Sequence, residues 1–307
     1  MMNFLRGAML VFLTCYSCLF MAAFLYSIRD ALQGGSFHMD VPLYLNSLLW
    51  ASASLVTALL ISVSPLGDKI VSLFFATRRQ SLREEQKINP AVERIKDLYR
   101  QKYGLDLDIN VCVMDEPHIN GMALGRETAA VSTGLLKVAN DDEIAGVLAH
   151  EAGHLHHKDS VLALALLVAG LPTVLLNYLL SIFFRISFAS GGAAGGGSPI
   201  GLLIGVSLLM LFLALFVYYV VFWSISFLVL WLMRVFEVST QWKMEYRADE
   251  FAMQLGFAPA LIELFERVED EDIRNSTGFL SKYLYSHPPT ALRIDRLERA
   301  ILEEKPH

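Results

Sequence analysis

Four long apolar runs divide the chain, and the polar intervals between them carry nearly all of its charge. The first, Gly7 to Ile28, follows Arg6 and is long enough to cross about 30 Å of hydrocarbon as a helix. A cleaved secretory leader is the competing reading. Its apolar core would be shorter and would end in small residues, whereas this run continues through Phe20, Phe24 and Tyr26, which favours a retained anchor. A short polar loop, Arg29 to Pro42, leads to a second run, Leu43 to Val63, closed by Pro65 and Gly67. Val161 to Phe184 is the third, with a kink expected at Gly170 and Pro172 and with Asn177 as a lone amide suited to bonding between helices. A Gly-rich linker, Ser190 to Pro199, joins it to the fourth, Gly201 to Met233. As one helix the fourth would extend about 50 Å, so it must tilt or emerge from the bilayer. No Lys-Ser/Thr pair follows the linker glycines, so this is not a phosphate loop.

Between the second and third runs the pattern changes. Lys69, Arg78, Arg79, Arg83 and Lys87 arrive together, and a mixed-charge helix is expected near Pro90 to Tyr103. Asp108 to Met114, His118 to Leu124 and Glu127 to Thr133, punctuated by Gly121, Gly125 and Gly134, read as three strands of a small sheet. Asn140 and Glu143 have the spacing of a capping box, and Ile144, Val147, Leu148 and Leu155 recur at helical intervals. One helix is therefore expected from about Asp141 to His157. The expected organisation is two transmembrane spans in residues 1–67 (about 7–28 and 43–63) and a water-exposed α+β domain in 68–160. Two further spans follow in 161–233 (about 161–184 and 201–233), then a helical carboxy-terminal part in 234–307.

Composition supports a membrane protein, since 54% of the residues are hydrophobic. A net charge of -6 argues against a generally basic, nucleic-acid-binding surface. Of all the Lys and Arg residues, only Arg29 and Arg185 fall in the two loops that join paired spans. By the positive-inside rule both termini and the water-exposed domain are cytoplasmic; in a bacterium the loops would face the periplasm. Cys15, Cys18 and Cys112 imply no disulfide framework. The Cys15–Cys18 spacing lacks the strand and helix that a redox motif requires, so packed membrane thiols are the better reading.

Candidate chemistry centres on His150-Glu151-Ala152-Gly153-His154. On a helix this spacing turns both imidazoles to one face, where they can share one ion. Zinc suits such a site: a third protein ligand and a water complete a tetrahedron, the metal lowers the water's pKa to roughly 7, and Glu151 can accept its proton. A third ligand is expected from a separate helix. Glu245 and Asp249 share a helical face just past the fourth run, so one can ligate while the other accepts the outward N–H of a ligating histidine. Glu237 competes for the ligand role, and a solvated charged face is the bland alternative. His156 and His157 read as interfacial polar residues beside the third run.

His150 to His154 and Glu245 to Asp249, set around two spans, resemble the membrane-integrated zinc metalloproteases of the HtpX type, relatives of the CAAX prenyl protease family. The resemblance extends to Asn120-Gly121-Met122-Ala123 followed by Val131-Ser132-Thr133-Gly134-Leu135-Leu136, similar to that family's edge strand and strand-to-helix turn. It also reaches Ser286-His287-Pro288-Pro289 with Arg293, similar to its carboxy-terminal motif. The family usually has Ala-Phe where Gly121-Met122 stands. The resemblance implies one zinc per chain held by His150, His154 and Glu245, with Glu151 as general base and acid. It implies Asp249 behind a ligand and His287 and Arg293 near the substrate carbonyl, where they could stabilise an oxyanion. Equally, His287 can shape a turn before its prolines and Arg293 can pair with Asp295 or Glu298. Substrate is expected to add as a strand along Asn120 to Leu124.

The fold expected is therefore an α-helical membrane protein with four transmembrane helices and a cytoplasmic α+β zincin-like metalloprotease domain. Its partners would be protein or peptide substrates, membrane proteins among them, and the lipid bilayer, with no nucleic acid. The site would lie at the bacterial inner membrane, in membrane-protein quality control, with CAAX-type processing as the alternative. A di-iron hydroxylase would need three histidine boxes, and the other histidines (His38, His118, His287, His307) stand singly. A scaffold with a structural metal would have no need of Glu151 beside a ligand.

Overall fold

The computed structural model describes residues 2–32, 40–191, 220, 224–232, 240–275 and 288–304. In chain order its elements are α1 (Met2–Leu32), α2 (Val41–Ser62), α3 (Pro65–Phe74), α4 (Leu82–Tyr103), β1 (Asn110–Met114), β2 (Gly121–Leu124) and β3 (Thr128–Ser132). They continue with α5 (Thr133–Val138), α6 (Asp141–His156), α7 (Asp159–Gly191), α8 (240–254), α9 (Ala258–Asn275) and α10 (Thr290–Glu304). Contacts divide the chain into two compact units, Met1–Leu59 with Leu166–Phe236, and Leu60–Ala165 with Glu237–His307.

The described part of the first unit is helical. Among the described residues, Phe4–Ser27, Val41–Ser62 and Asp159–Leu179 are long and apolar enough to cross a membrane. The expected fourth run is helical at 220 and 224–232 and otherwise lies outside the described residues, as does nearly all of the Gly-rich linker. α7 continues through Gly170 and Pro172, the site of the expected kink. Hydroxyl pairs tie this unit together: Ser17 Oγ lies 2.9 Å from Thr173 Oγ1, and Tyr16 Oη 2.8 Å from Ser226 Oγ. Asn177, expected to bond between helices, donates to the Thr173 carbonyl of its own helix. With only short hydroxyls at Ser17 and Thr173, backbones can approach while each O–H keeps a partner in apolar surroundings.

The second unit places a small sheet between helices. β1 runs parallel and β2 antiparallel to β3, giving the order β1-β3-β2 with β2 at an edge. β3 is buried throughout. Its Ala129 and Val131 join Ile88 and Ile95 of α4 and Ile144 and Leu148 of α6 in the main core, while Ala130 joins Val71 of α3, Met114 and Leu124 on the other face. Each fully buried Ile or Leu contributes about 1.5–3 kcal/mol, which commits one side of α6 to the core. His150 lies about 200° round the helix from Leu148, so the histidines face away from it.

Local signals set the ends. Asn140 and Glu143 form the expected capping box at the start of α6. Ser81 and Glu84 form another, which starts α4 at Leu82 rather than near Pro90; the proline's missing N–H forfeits one ladder bond without ending the helix. Gly104, at φ 66, ends α4 in the left-handed conformation that glycine adopts without strain.

Arg78 binds these parts across the sequence. Its backbone exchanges two 2.9 Å hydrogen bonds with Val113 at the outer side of β1, and its guanidinium meets Glu84 at 2.8 Å and Asp115 at 2.8 Å. The hydrogen bonds from Arg78 hold the Glu84 carboxyl at about 2, against an ordinary 4.5, despite a smaller opposing push from burial. Because the folded value is depressed, the stabilisation is present above about pH 4.5 and lost as the pH falls toward 2. The melting temperature of the full chain in detergent should fall across that window. Glu84→Gln should melt lower near neutral pH and show a shallower decline; an unchanged slope would remove Glu84 from the acid response.

Candidate metal centre

α6 and α8 meet at Gly153. A methyl group placed there would lie 3.0 Å from Ala248 Cα and 3.1 Å from Phe251 Cβ, so the two helices pack backbone to backbone. That approach brings Glu245, one turn from Ala248, against the paired histidines. Nε2 of His150 lies 3.5 Å from Oε2 of Glu245, and Nε2 of His154 lies 3.5 Å from Oε1. One ligand atom from each of the three residues falls within 4.8 Å of the others.

The outward ring nitrogens are held as well. Nδ1 of His150 lies 2.9 Å from Oδ1 of Asp249, whose carboxylate also takes Nε and Nη2 of Arg293 at 2.8 and 2.6 Å. Nδ1 of His154 lies 3.4 Å from Oδ2 of Asp159, whose other oxygen accepts from Nη2 of Arg247 at 2.6 Å. Each histidine is thus backed by a carboxylate, and each carboxylate by a guanidinium. With Nδ1–H donating outward, Nε2 is left with its lone pair turned toward Glu245, the tautomer a metal requires.

The electrostatics fit a divalent cation. Around the imidazoles stand the carboxylates of Glu151, Asp159, Glu245 and Asp249 and the guanidinium ions of Arg247 and Arg293, all in or beside the buried centre. Four carboxylates against two guanidinium ions leave an excess of negative charge that falls to the imidazoles or to a bound cation to balance. Burial disfavours charge on His154, yet hydrogen bonds to Asp159 and Glu245 carry it up to about 10; burial likewise opposes and Asp249 and Glu245 raise His150. Burial pushes the Asp249 carboxyl up, but Arg293 outweighs it and the value lies below the usual range. The surroundings therefore attract positive charge to the two Nε2 atoms. Zinc fits such a nitrogen and oxygen donor set.

Glu151, buried on the same helix, points to the sheet edge: a methyl group on Gly121 would lie 3.0 Å from its Oε1 and 2.7 Å from Val147 Cγ1. Glycine at 121 thus matches a close approach of β2 to α6 that leaves no room for a Cβ. Of the expected substrate-strand residues, Asn120 accepts from Ser132 N at 3.0 Å. By alternation Met122 also turns its backbone to β3, while Gly121 and Ala123 present theirs to the outer side, which no strand pairs among the described residues.

Arg293 reaches the centre from α10, bound to Asp249 behind His150, while Asp295 pairs with Arg299. His287 and Glu237 lie outside the described residues. His156 and His157, expected as interfacial polar residues beside the third run, take part in an aromatic cluster: His156 Nδ1 lies 3.0 Å from Tyr99 Oη, and both rings contact Phe251. Burial, then the charge of Arg247, lowers His157 to about 4, and neither ring belongs to the group of three ligand atoms. Sequence reasoning missed Asp159 and Arg247. Lys158, at φ 58, breaks the helical register between His154 and Asp159, and Arg247 stands at i+2 from Glu245, off the ligand face.

Residues 83–301 match the profile of Peptidase family M48. The protease HtpX homolog of Salinibacter ruber is 28% identical over 145 residues, 44% of this chain and 51% of that relative. The protease HtpX homolog of Campylobacter curvus is 32% identical over 124 residues, 37% of this chain and 43% of the relative. The chain thus spans about half the length of the curated relatives it matches, or less. The crystal structure of S. mikatae Ste24p aligns with a TM-score of 0.49 at 19% identity, covering 91% of this chain and 66% of that one.

Removing either backing carboxylate should loosen the ion. Asp159→Asn and Asp249→Asn should each weaken zinc binding by about 10- to 100-fold, measured on the full chain by competition with a chelator. Wild-type affinity in Asp159→Asn would detach that residue from the centre.

Proposed function

The chain belongs to peptidase family M48, and from that membership and the geometry of its buried centre we propose that it is a membrane-bound, zinc-dependent endopeptidase. The observation that carries this reading is the convergence of His150, His154 and Glu245 beside Glu151 and an open strand edge.

His150, His154 and Glu245 would hold one zinc. When bound, the metal supplies a Lewis acid and lowers the pKa of a coordinated water to roughly 7. Glu151 accepts the proton of the attacking water and returns it to the leaving amine nitrogen. Gly121 and Ala123 offer N–H and C=O groups to an extended peptide, which Asn120 and Met122 support by keeping β2 on β3. Asp249 with Arg293, and Asp159 with Arg247, keep the imidazoles in the ligating tautomer. Arg293 serves here as a positioning residue, since its guanidinium is engaged by Asp249.

The same reading extends to the membrane. Four spans, with residues 68–160 and 234–307 on the cytoplasmic side of a bacterial inner membrane, agree with the placement of the cations. His154 lies five residues before the candidate span that begins at Asp159, which sets the chemistry near the bilayer surface. Substrates are then cytoplasmic segments of membrane or misfolded proteins, as membrane-protein quality control requires.

Two variants test the assignment. Glu151→Gln should retain zinc stoichiometry and lose cleavage of an unfolded membrane substrate by at least about 10²-fold, the lower range for general acid–base catalysis. Loss of zinc in that variant would show that ligand and base are exchanged. Ala123→Pro removes an edge-facing N–H and spares the β2–β3 ladder, so a folded, zinc-loaded protein should cleave poorly. Normal cleavage by that variant would exclude strand addition at this edge.

A further inference from the structure

α3 begins where a membrane-length helix ends. Only Val63 and Ser64 separate it from Ser62, the last residue of the candidate span Val41–Ser62. Ser64 caps it by accepting from Leu66 N, Pro65 opens its first turn, and Gly67 packs on the end of α2. A methyl group on Gly67 would lie 2.4 Å from the Ser62 carbonyl oxygen. The start of α3 is therefore pinned against the end of that candidate span.

Its two faces differ. Val71 is buried with Met114, Leu124 and Ala130 beneath the sheet, and Asp68 accepts from Arg126 N at 3.0 Å in the β2–β3 turn. On the other side Leu66, Ile70, Leu73 and Phe74 follow one another at helical spacing and are all exposed, Leu73 to 81% and Phe74 to 88%. Phe75, also exposed, sets its ring edge-on to Phe74 at 6.3 Å, and Lys69 within the helix and Arg79 and Arg83 in the segment after it are exposed. Large apolar side chains gathered in so short a segment mark a contact surface.

We propose that α3 is an interfacial anchor, its exposed apolar stripe seated in the headgroup boundary of an anionic lipid bilayer while its buried face carries the sheet. Three observations select lipid over a second copy of the chain. Only two residues separate the helix from a candidate span; exposed cations lie on it and in the segment that follows, as anionic headgroups favour; and five side chains fall far short of the roughly 20–30 residues a side of a stable protein interface. The inference does not depend on the reaction performed. Where strand addition does occur, β2 would receive its substrate on a sheet that rests on the membrane surface.

The test uses the full chain, with Cys15, Cys18 and Cys112 replaced by Ser, in nanodiscs holding one protein each. A nitroxide is attached at Leu73→Cys or Phe74→Cys, with the exposed loop position Leu105→Cys as reference. Power saturation should show oxygen accessibility exceeding that of a water-soluble nickel complex at 73 and 74, at a depth of about 5–10 Å, and the reverse at 105. Adding phosphatidylglycerol to phosphatidylcholine should deepen the two labels. The combined Lys69→Gln, Arg79→Gln, Arg83→Gln variant should lose that response. Nickel accessibility at 73 and 74 equal to that at 105 would place the helix in water. Protection from both reagents would mean that protein covers the face. Either outcome overturns the proposal, and a full phosphatidylglycerol response in the triple variant overturns its electrostatic part.

Discussion

The candidate metal centre depends on how closely α6 and α8 approach. A helix pair normally stands 8–10 Å apart because side chains fill the space between axes. Gly153 removes that filling opposite Ala248, and Glu245, nearly a hundred residues further along the chain, comes within 3.5 Å of both imidazoles. The glycine's position is dictated by the same helix that holds the ligands: it precedes His154, and its neighbour Ala152 belongs to the core that anchors α6. Packing and ligation are thus two consequences of one interface.

Burying several charges beside that interface is costly, and the structure offsets the cost in pairs. A carboxylate removed from water stabilises the fold only when it gains partners of good geometry. Asp249 gains a two-point contact from Arg293 and a histidine N–H; Asp159 gains Arg247 and the second histidine. The remaining negative charge lies where the imidazole Nε2 atoms and Glu245 converge. A divalent cation there would complete the balance, so metal binding and the integrity of the unit are expected to be linked.

The sheet serves the centre in a different way. β3 is enclosed on both faces, which leaves β2 as the open edge beside Glu151. Register decides what that edge offers. Because Asn120 bonds to Ser132, the alternation gives Gly121 and Ala123 to the outside and keeps Met122 for the sheet. α3 closes the far face through Val71, which packs with Met114, Leu124 and Ala130, so the edge strand is held between α6 and α3.

Local features were legible in the sequence. Apolar run lengths marked three helices capable of spanning a membrane, alternation marked three strands to within a few residues, and the Asn140–Glu143 box marked the start of α6, because each depends on neighbours within a turn or a strand. The His150–His154 spacing likewise fixes a shared face by helix geometry alone. What lies between remote segments was not legible. Their shared helical face just past the fourth run drew attention to Glu245 and Asp249, but their contact with the histidines required the α6–α8 packing at Gly153. Asp159 and Arg247 carried no periodic signal, since a left-handed residue at Lys158 breaks the register and the ion pair joins positions 88 apart. Arg293 read as a group near the substrate, and only the fold set its guanidinium against Asp249. Periodicity reports which residues share a face; which faces meet is settled by packing, and at this centre packing decided which charges are paired.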